Sequence, residues 1–66
     1  MLLGTRLREL RKQQQTSMKA VAQKIGVSFQ QVSKWETDKS RPEYENLVAL
    51  ADFYDVTTDY LLGREK

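Results

Sequence analysis

Apolar residues recur along the first thirteen positions of the chain with the spacing of a helix. Leu3, Leu7 and Leu10 fall at positions i, i+4 and i+7, and charged residues stand between them. Because about 3.6 residues complete a helical turn, the three leucines share one face. The pattern predicts a first helix of about three turns whose leucine face is buried.

A second helix is predicted after the glutamine triplet at residues 13–15, which interrupts the apolar pattern. Ser17 is the expected N-cap, since its hydroxyl is able to accept a free backbone N–H of the first turn. The apolar positions then return at i, i+3, i+4 and i+7, and they are Met18, Val21, Ala22 and Ile25. Gly26 follows directly and is the expected left-handed residue that ends the helix.

A third helix begins after only three linking residues, Gly26, Val27 and Ser28. Ser28 is its expected N-cap, and Val32 and Trp35 are expected to face inward. Two short helices joined by a tight turn around a glycine describe a helix-turn-helix. Ala22 fits this motif, because a small side chain lets the second helix of the pair cross close to the first.

Two further helices complete an all-α prediction. Residues 37–42 are polar and include the only proline, Pro42, which we expect in the first turn of the fourth helix. That helix has an apolar face made of Leu47, Leu50, Ala51 and Tyr54. Residues 55–57 end it, and Thr57 is the expected cap of a last turn that ends at Gly63. Neither strand alternation nor an internal repeat is present, so we expect one compact five-helix domain over residues 1–66.

The composition narrows the classes of function. With 66 residues and 39% apolar content the chain supports one small domain, and the absence of Cys and His excludes disulfides, zinc fingers, thiol nucleophiles and histidine bases. Asp52 and Asp55 form a carboxylate pair on an exposed helix face without a phosphate-binding glycine loop. We therefore expect no enzyme, no cofactor, no metal and no small-molecule ligand. The apolar runs are far shorter than a membrane span of roughly 20 residues, which favours a soluble cytoplasmic protein.

Charge is distributed unevenly along the chain. Residues 1–41 hold nine basic and three acidic residues, a net charge of +6, whereas residues 42–66 hold two basic and six acidic residues, a net charge of −4. A basic lobe joined to an acidic one suits a polyanionic partner on one side of the molecule.

The chain resembles the phage repressor and Cro type of helix-turn-helix DNA-binding domain, also called the xenobiotic-response-element family. The resemblance rests on residues 18–37, with Trp35-Glu36, and on a set of later positions that includes Pro42, Leu47, Leu50-Ala51, Val56-Thr57 and Asp59-Tyr60-Leu61-Leu62. It implies the compact five-helix fold of the lambda repressor type, with the helix-turn-helix at about residues 17–36. It further implies a prokaryotic or phage repressor that binds double-stranded operator DNA as a homodimer, without cofactors, at the nucleoid.

The resemblance also implies which residues contact bases. The positions at the start and middle of the third helix are Ser28, Phe29, Gln30, Ser33 and Lys34. Gln30 has the groups to bind adenine N6 and N7, Lys34 to donate to guanine O6 and N7, and Phe29 to contact a thymine methyl. For Phe29 two other roles stay open, packing into the core or contact with a protein.

Phosphate contacts are implied at the start of the second helix and in the loop after the third. These positions hold Ser17, Met18, Lys19, Thr37, Lys39, Ser40 and Arg41, and Gln31 is expected to point sideways toward phosphate or solvent. Met18 stands where the family commonly has glutamine, which puts one phosphate contact in doubt. Asp38 stands where glycine is usual and adds a negative charge beside the expected DNA. Gln14 and Thr16 replace an apolar pair, so a looser corner is expected there.

Glu36 has two interpretations. It is a candidate base contact to cytosine, but the family places this glutamate inward, paired with an arginine of the first helix, and Arg11 is the matching position. An inward charge without a partner is costly, which favours a structural Arg11–Glu36 ion pair.

A rival function is a protein-interaction module on the same fold, such as an antitoxin or a coactivator-like adaptor. Phe29 and the small net charge favour it, and the +6 half of the chain opposes it. Tyr54, Tyr60, Leu61 and Leu62 are a candidate contact surface for a second copy, although burial in the core explains them equally well.

Overall fold

The computed structural model describes residues 2–64, and these residues form five helices without a strand. The helices are α1 (Leu2–Gln13), α2 (Met18–Ile25), α3 (Phe29–Glu36), α4 (Tyr44–Tyr54) and α5 (Thr58–Leu62). The predicted five-helix, all-α architecture is confirmed. None of these helices is long and apolar enough to cross a bilayer within the described residues.

The core lies where the five helices meet. α3 packs against α1 and α2, α1 also packs against α5, and α4 packs against α2 and α5. The buried apolar side chains of the core are Leu3, Leu7, Leu10, Val21, Ala22, Val32, Trp35, Leu50, Ala51, Tyr54 and Leu61. The leucine face predicted for α1 and the inward positions predicted for α3 are therefore confirmed, and Met18, Ile25 and Leu47 pack at the edge of this core.

Side-chain caps set the helix boundaries. Ser17, Ser28 and Thr57 are the N-caps of α2, α3 and α5, and each hydroxyl accepts the backbone N–H three residues later, over 2.9–3.2 Å. Gly26 ends α2 in the left-handed region with φ of 89°, a conformation that glycine adopts without steric penalty. All four predictions are confirmed, and they fix the tight turn between α2 and α3.

The prediction for Pro42 is wrong. α4 begins at Tyr44 and its N-cap is Glu43, so Pro42 lies outside the helix, directly before the cap. The restricted φ of proline suits an extended approach to a helix as well as a first turn. Glu43 has an extended backbone (φ −69°, ψ 167°) and makes no side-chain cap hydrogen bond.

The corner after α1 is closed by hydrogen bonds, contrary to the expectation of a looser joint. Gln14 Nε2 donates to the carbonyl of Tyr54 over 3.4 Å, and an Arg11 guanidinium nitrogen donates to the carbonyl of Thr16 over 3.2 Å. Polar side chains thus replace apolar packing at this position.

Asp38 joins the loop after α3 to the start of α1. Its backbone is left-handed, with φ of 60°, and its Oδ1 accepts the backbone N–H of Gly4 over 3.1 Å. The carboxylate thereby faces the positive end of α1, where a negative charge is favourable. α1 approaches so closely that a Cβ on Gly4 would lie 2.7 Å from the carbonyl oxygen of Glu36 and 2.7 Å from Asp38 Oδ2.

We expect the substitution Gly4→Ala to lower the free energy of unfolding by about 1–3 kcal/mol, because the new methyl group overlaps a backbone oxygen. In an unhindered helix the same change is stabilising by about 0.5–1 kcal/mol, so the sign of the effect reports the close approach. Urea unfolding of Gly4→Ala measures it, with Thr5→Ala on the exposed side of the same turn as the control. A Gly4→Ala variant more stable than the parent would contradict the contact.

Candidate nucleic-acid interface

The outer face of α3 is exposed on the surface of the helix-turn-helix. α3 buries Val32, Trp35 and Glu36 and leaves its predicted base-contacting residues at the surface. Ser28, Phe29, Gln30, Gln31 and Lys34 are exposed, and Ser33 is half-buried. The Phe29 side chain lies outside the core with 44% of its surface exposed, which excludes the core role left open for it.

A shallow groove of about 260 Å³ runs along this face. It is lined by Phe29, Gln30, Ser33, Lys34, Thr37 and Lys39. The groove therefore brings four of the five predicted base contacts together with two predicted phosphate contacts. An aromatic edge, an amide and two ammonium groups in one groove are able to bind both base edges and phosphates.

The loop after α3 folds back on the end of that helix. The backbone N–H groups of Lys39 and Ser40 both donate to the carbonyl of Lys34, over 2.9 and 3.4 Å, and the Thr37 hydroxyl donates to the carbonyl of Ser33 over 2.9 Å. These bonds hold Lys39 at the groove along α3. Lys39, Ser40 and Arg41 are exposed, as phosphate contacts require.

The start of α2 lies beside the end of α3. Ser17 and Lys19 are exposed and Met18 is half-buried. A second groove, of about 200 Å³, lies here and is lined by Arg8, Arg11, Met18, Ser33, Glu36 and Thr37. Sequence patterns do not single out Arg8 as a site residue, and its position one helical turn before Arg11 is the signal in the sequence that points to it.

Arg11 and Glu36 form the predicted ion pair between α1 and α3. Arg11 Nε donates to Glu36 Oε2 over 2.7 Å and a second guanidinium nitrogen donates to Oε1 over 3.1 Å. The hydrogen bonds to Glu36 raise the pKa of Arg11, against a smaller lowering by burial. Glu36 is 8% exposed, and both of its oxygens are bound by Arg11, so it does not face outward as a cytosine contact would.

Most of the candidate surface for a second copy is buried. Tyr54 and Leu61 belong to the core, with 3% and 0% exposure, so for these two residues the alternative of burial in the core is the correct one. Leu62 remains exposed, and Tyr60 is half-buried. Leu2 is also exposed and lies beside Gly63, since its Cδ2 is 2.5 Å from the position of a Cβ on Gly63.

No metal-binding chemistry is evident in residues 2–64, where no three Asp or Glu side chains form a group able to hold a metal ion. The acidic residues Asp52, Asp55 and Asp59 belong to α4, its C-cap and α5, and none of them lines either groove. Glu36, which is paired with Arg11, is the one acidic residue among the described residues that line the two grooves.

Comparison with known proteins shows where this fold occurs. A sequence model described as "Helix-turn-helix" matches residues 7–61. The chain is 43% identical over 61 residues to the HTH-type transcriptional regulator AnsR of Bacillus subtilis, covering 92% of this chain and 53% of that protein. It is 38% identical over 61 residues to repressor protein C2 of Salmonella phage P22, covering 92% of this chain and 28% of the phage protein. The chain thus spans about half the length of its Bacillus relative.

Among solved structures, the crystal structure of the P22 c2 repressor protein in complex with a synthetic operator has the same fold. The TM-score is 0.92 at 35% sequence identity, and the match covers 98% of this chain and 98% of the other.

Proposed function

We propose, for a chain that belongs to the helix-turn-helix family of phage repressors and bacterial transcriptional regulators, that it is a sequence-specific transcriptional repressor that binds double-stranded DNA. The observation that supports this most directly is the outer face of α3, which buries Val32 and Trp35 and exposes Phe29, Gln30 and Lys34 along one groove. An α-helix with this division of faces fits the major groove of B-DNA.

Base recognition follows from the chemistry of the α3 side chains. Gln30 binds adenine N6 and N7 with two hydrogen bonds, Lys34 donates to guanine O6 and N7, and the ring of Phe29 contacts a thymine methyl. Ser28 and Ser33 flank these three residues and offer hydroxyls that accept or donate. This set distinguishes base pairs in the major groove, where each pair presents a different pattern.

Backbone contacts place α3 on the duplex. Lys39 and Arg41 bind phosphates on one side of α3, and Ser17 and Lys19 bind phosphates at the start of α2, where the helix dipole favours an anion. Gln31, Thr37 and Ser40 complete the proposed set, together with the backbone N–H of Met18 at the start of α2. These contacts hold the protein on any DNA sequence and make binding sensitive to salt.

A homodimer is part of the proposal, because one short recognition helix covers only one half-site. Two copies related by a two-fold axis place their α3 helices in successive major grooves about 10 base pairs apart. The exposed leucines Leu2 and Leu62, on the adjoining ends of α1 and α5, are the proposed contact between copies. Residues 1–66 act in this proposal as one DNA-binding domain in the cytoplasm, at the nucleoid, without a cofactor.

Two substitutions separate base recognition from backbone binding. We expect Gln30→Ala to relax the sequence preference at one base pair by roughly 1–3 kcal/mol, because the paired hydrogen bonds to adenine are lost. Lys39→Ala is its matched control and is expected to weaken binding to all duplexes alike and to reduce the dependence on salt. Titration of both variants on the same set of single-base-pair variants of the selected site measures this. An equal loss from Gln30→Ala on every duplex would contradict a base contact.

A further inference from the structure

The groove between α1, the start of α2 and the end of α3 is lined by a positively charged side chain to which the DNA contacts proposed above assign no role. Two arginines of α1, Arg8 and Arg11, line it, and across from them lie Ser33 and Thr37 of the α3 end. Ser33 and Thr37 also line the base-facing groove along α3, so the two grooves meet at these residues. A ligand in the groove between α1, α2 and α3 therefore lies directly beside the surface that we propose to face the bases.

The guanidinium of Arg11 is not available to bind a ligand in this groove. Its Nε and one terminal nitrogen bind Glu36, and the other terminal nitrogen donates to the carbonyl of Thr16. The pair with Glu36 has no net charge. Arg8, in contrast, is exposed, and its side chain makes neither an ion pair nor a hydrogen bond to any residue within the described part of the chain.

Met18 explains why a cation is useful here. It lines the same groove, and its thioether has no proton to donate to a phosphate. Arg8 approaches this place from α1, with a guanidinium that offers several donors in a planar fork suited to phosphate oxygens. The rigid position of α1, fixed by the buried Leu3, Leu7 and Leu10, directs Arg8 to it.

We propose that Arg8 replaces the donor missing at Met18 and binds one backbone phosphate of the DNA in the groove between α1, α2 and α3. This inference rests on the proposed function, because it assigns a further contact in the same complex. It makes α1 a third element of the DNA interface, beside α3 and the loop that follows it. The phosphate would lie next to the half-buried Ser33.

The salt dependence of DNA binding tests the assignment. The chain, Arg8→Gln and Lys24→Gln are titrated with the duplex selected by the parent protein over a range of salt concentrations. Lys24 is the matched control, since it is also an exposed helical cation but lies at the far end of α2, in a groove against Asp52 and Phe53 of α4. The slope of log Kobs against log salt concentration is negative, and loss of one phosphate contact reduces its magnitude by about 0.9 per bound chain.

We expect this decrease for Arg8→Gln, on specific and unrelated duplexes alike, and an unchanged slope for Lys24→Gln. Arg8→Lys keeps the charge and is expected to keep most of the slope. A methylphosphonate scan of the duplex then locates the phosphate. Neutralising it should weaken binding by the parent protein and leave the affinity of Arg8→Gln unchanged. Thermal unfolding of each variant serves as the folding control.

Two results would overturn the inference and leave the proposed function intact. One is specific binding by the parent protein with an equal salt slope for Arg8→Gln, and the other is an equal reduction of the slope by Arg8→Gln and Lys24→Gln. If the parent protein selects no duplex at all, the proposed function itself fails, and the inference fails with it.

Discussion

The substitution Arg11→Met is expected to lower the free energy of unfolding by about 3–5 kcal/mol, although it removes no residue of the apolar core. Glu36 receives two hydrogen bonds from Arg11, of 2.7 and 3.1 Å, and only 8% of its surface is exposed. Methionine fills a similar volume but leaves the carboxylate without a donor in a nearly dry site. Such a loss is a large part of the total stability of so small a domain.

Urea unfolding at pH 7 measures this effect. The matched control is Arg64→Met, since Arg64 is paired with Asp59 over 3.9 Å at the surface, where 74% of its side chain is exposed, and such pairs contribute about 0–1 kcal/mol. The double variant Arg11→Met/Glu36→Met should be more stable than Arg11→Met alone, because the stranded carboxylate is gone. If Arg11→Met is no less stable than Arg64→Met, Glu36 does not depend on Arg11.

Raising the pH from 10 to 12 is expected to remove about 2 kcal/mol of stability through one group, Tyr54. Burial raises the pKa of this phenol from 10.0 to about 12, and the nearby Glu36 carboxylate adds to the effect while Arg11 opposes it. In the unfolded chain the phenol ionises near pH 10, whereas in the folded protein it keeps its proton to about pH 12. The stabilisation is therefore fully present below pH 10 and is lost as the pH rises through the folded-state value.

The variant Tyr54→Phe isolates this contribution, since lysines also lose their charge in the same pH range. The unfolding free energy of the parent, followed by circular dichroism at pH 9 to 12, is expected to fall relative to that of Tyr54→Phe as the pH rises. Parallel curves over this range would contradict a raised pKa at Tyr54.

The parts of the fold that are predictable from the sequence depend on residues close to one another in the chain. Ser17, Ser28, Gly26 and Thr57 act through bonds or backbone angles within a few residues of themselves, so their sequence neighbours suffice to assign them. The inward faces of α1 and α3 follow from a single periodicity. Pro42 was misplaced because its fixed φ is compatible with both sides of a helix start, and the sequence does not distinguish them.

Contacts between distant residues were harder to predict. Arg11 and Glu36 were paired only through the family resemblance, because 25 residues separate them and no local pattern joins them. The contact between Gly4 and Asp38, 34 residues apart, was not predicted at all. The position of Arg8 is equally hard to predict, because its place in a groove with Met18 and Ser33 results from the packing of three helices. The exposed face of α3 follows from helical periodicity, whereas its proposed role in base contact comes from the family resemblance.

The most direct test of sequence-specific DNA binding is enrichment of a random duplex pool on the purified chain at two salt concentrations, with protein concentration varied to follow dimerisation. We expect recovery of a two-fold symmetric site whose half-sites lie about 10 base pairs apart, with an affinity that falls as salt rises. Recovery of no preferred sequence, with only salt-sensitive binding to all duplexes, would contradict it and would favour a surface that binds protein through Phe29.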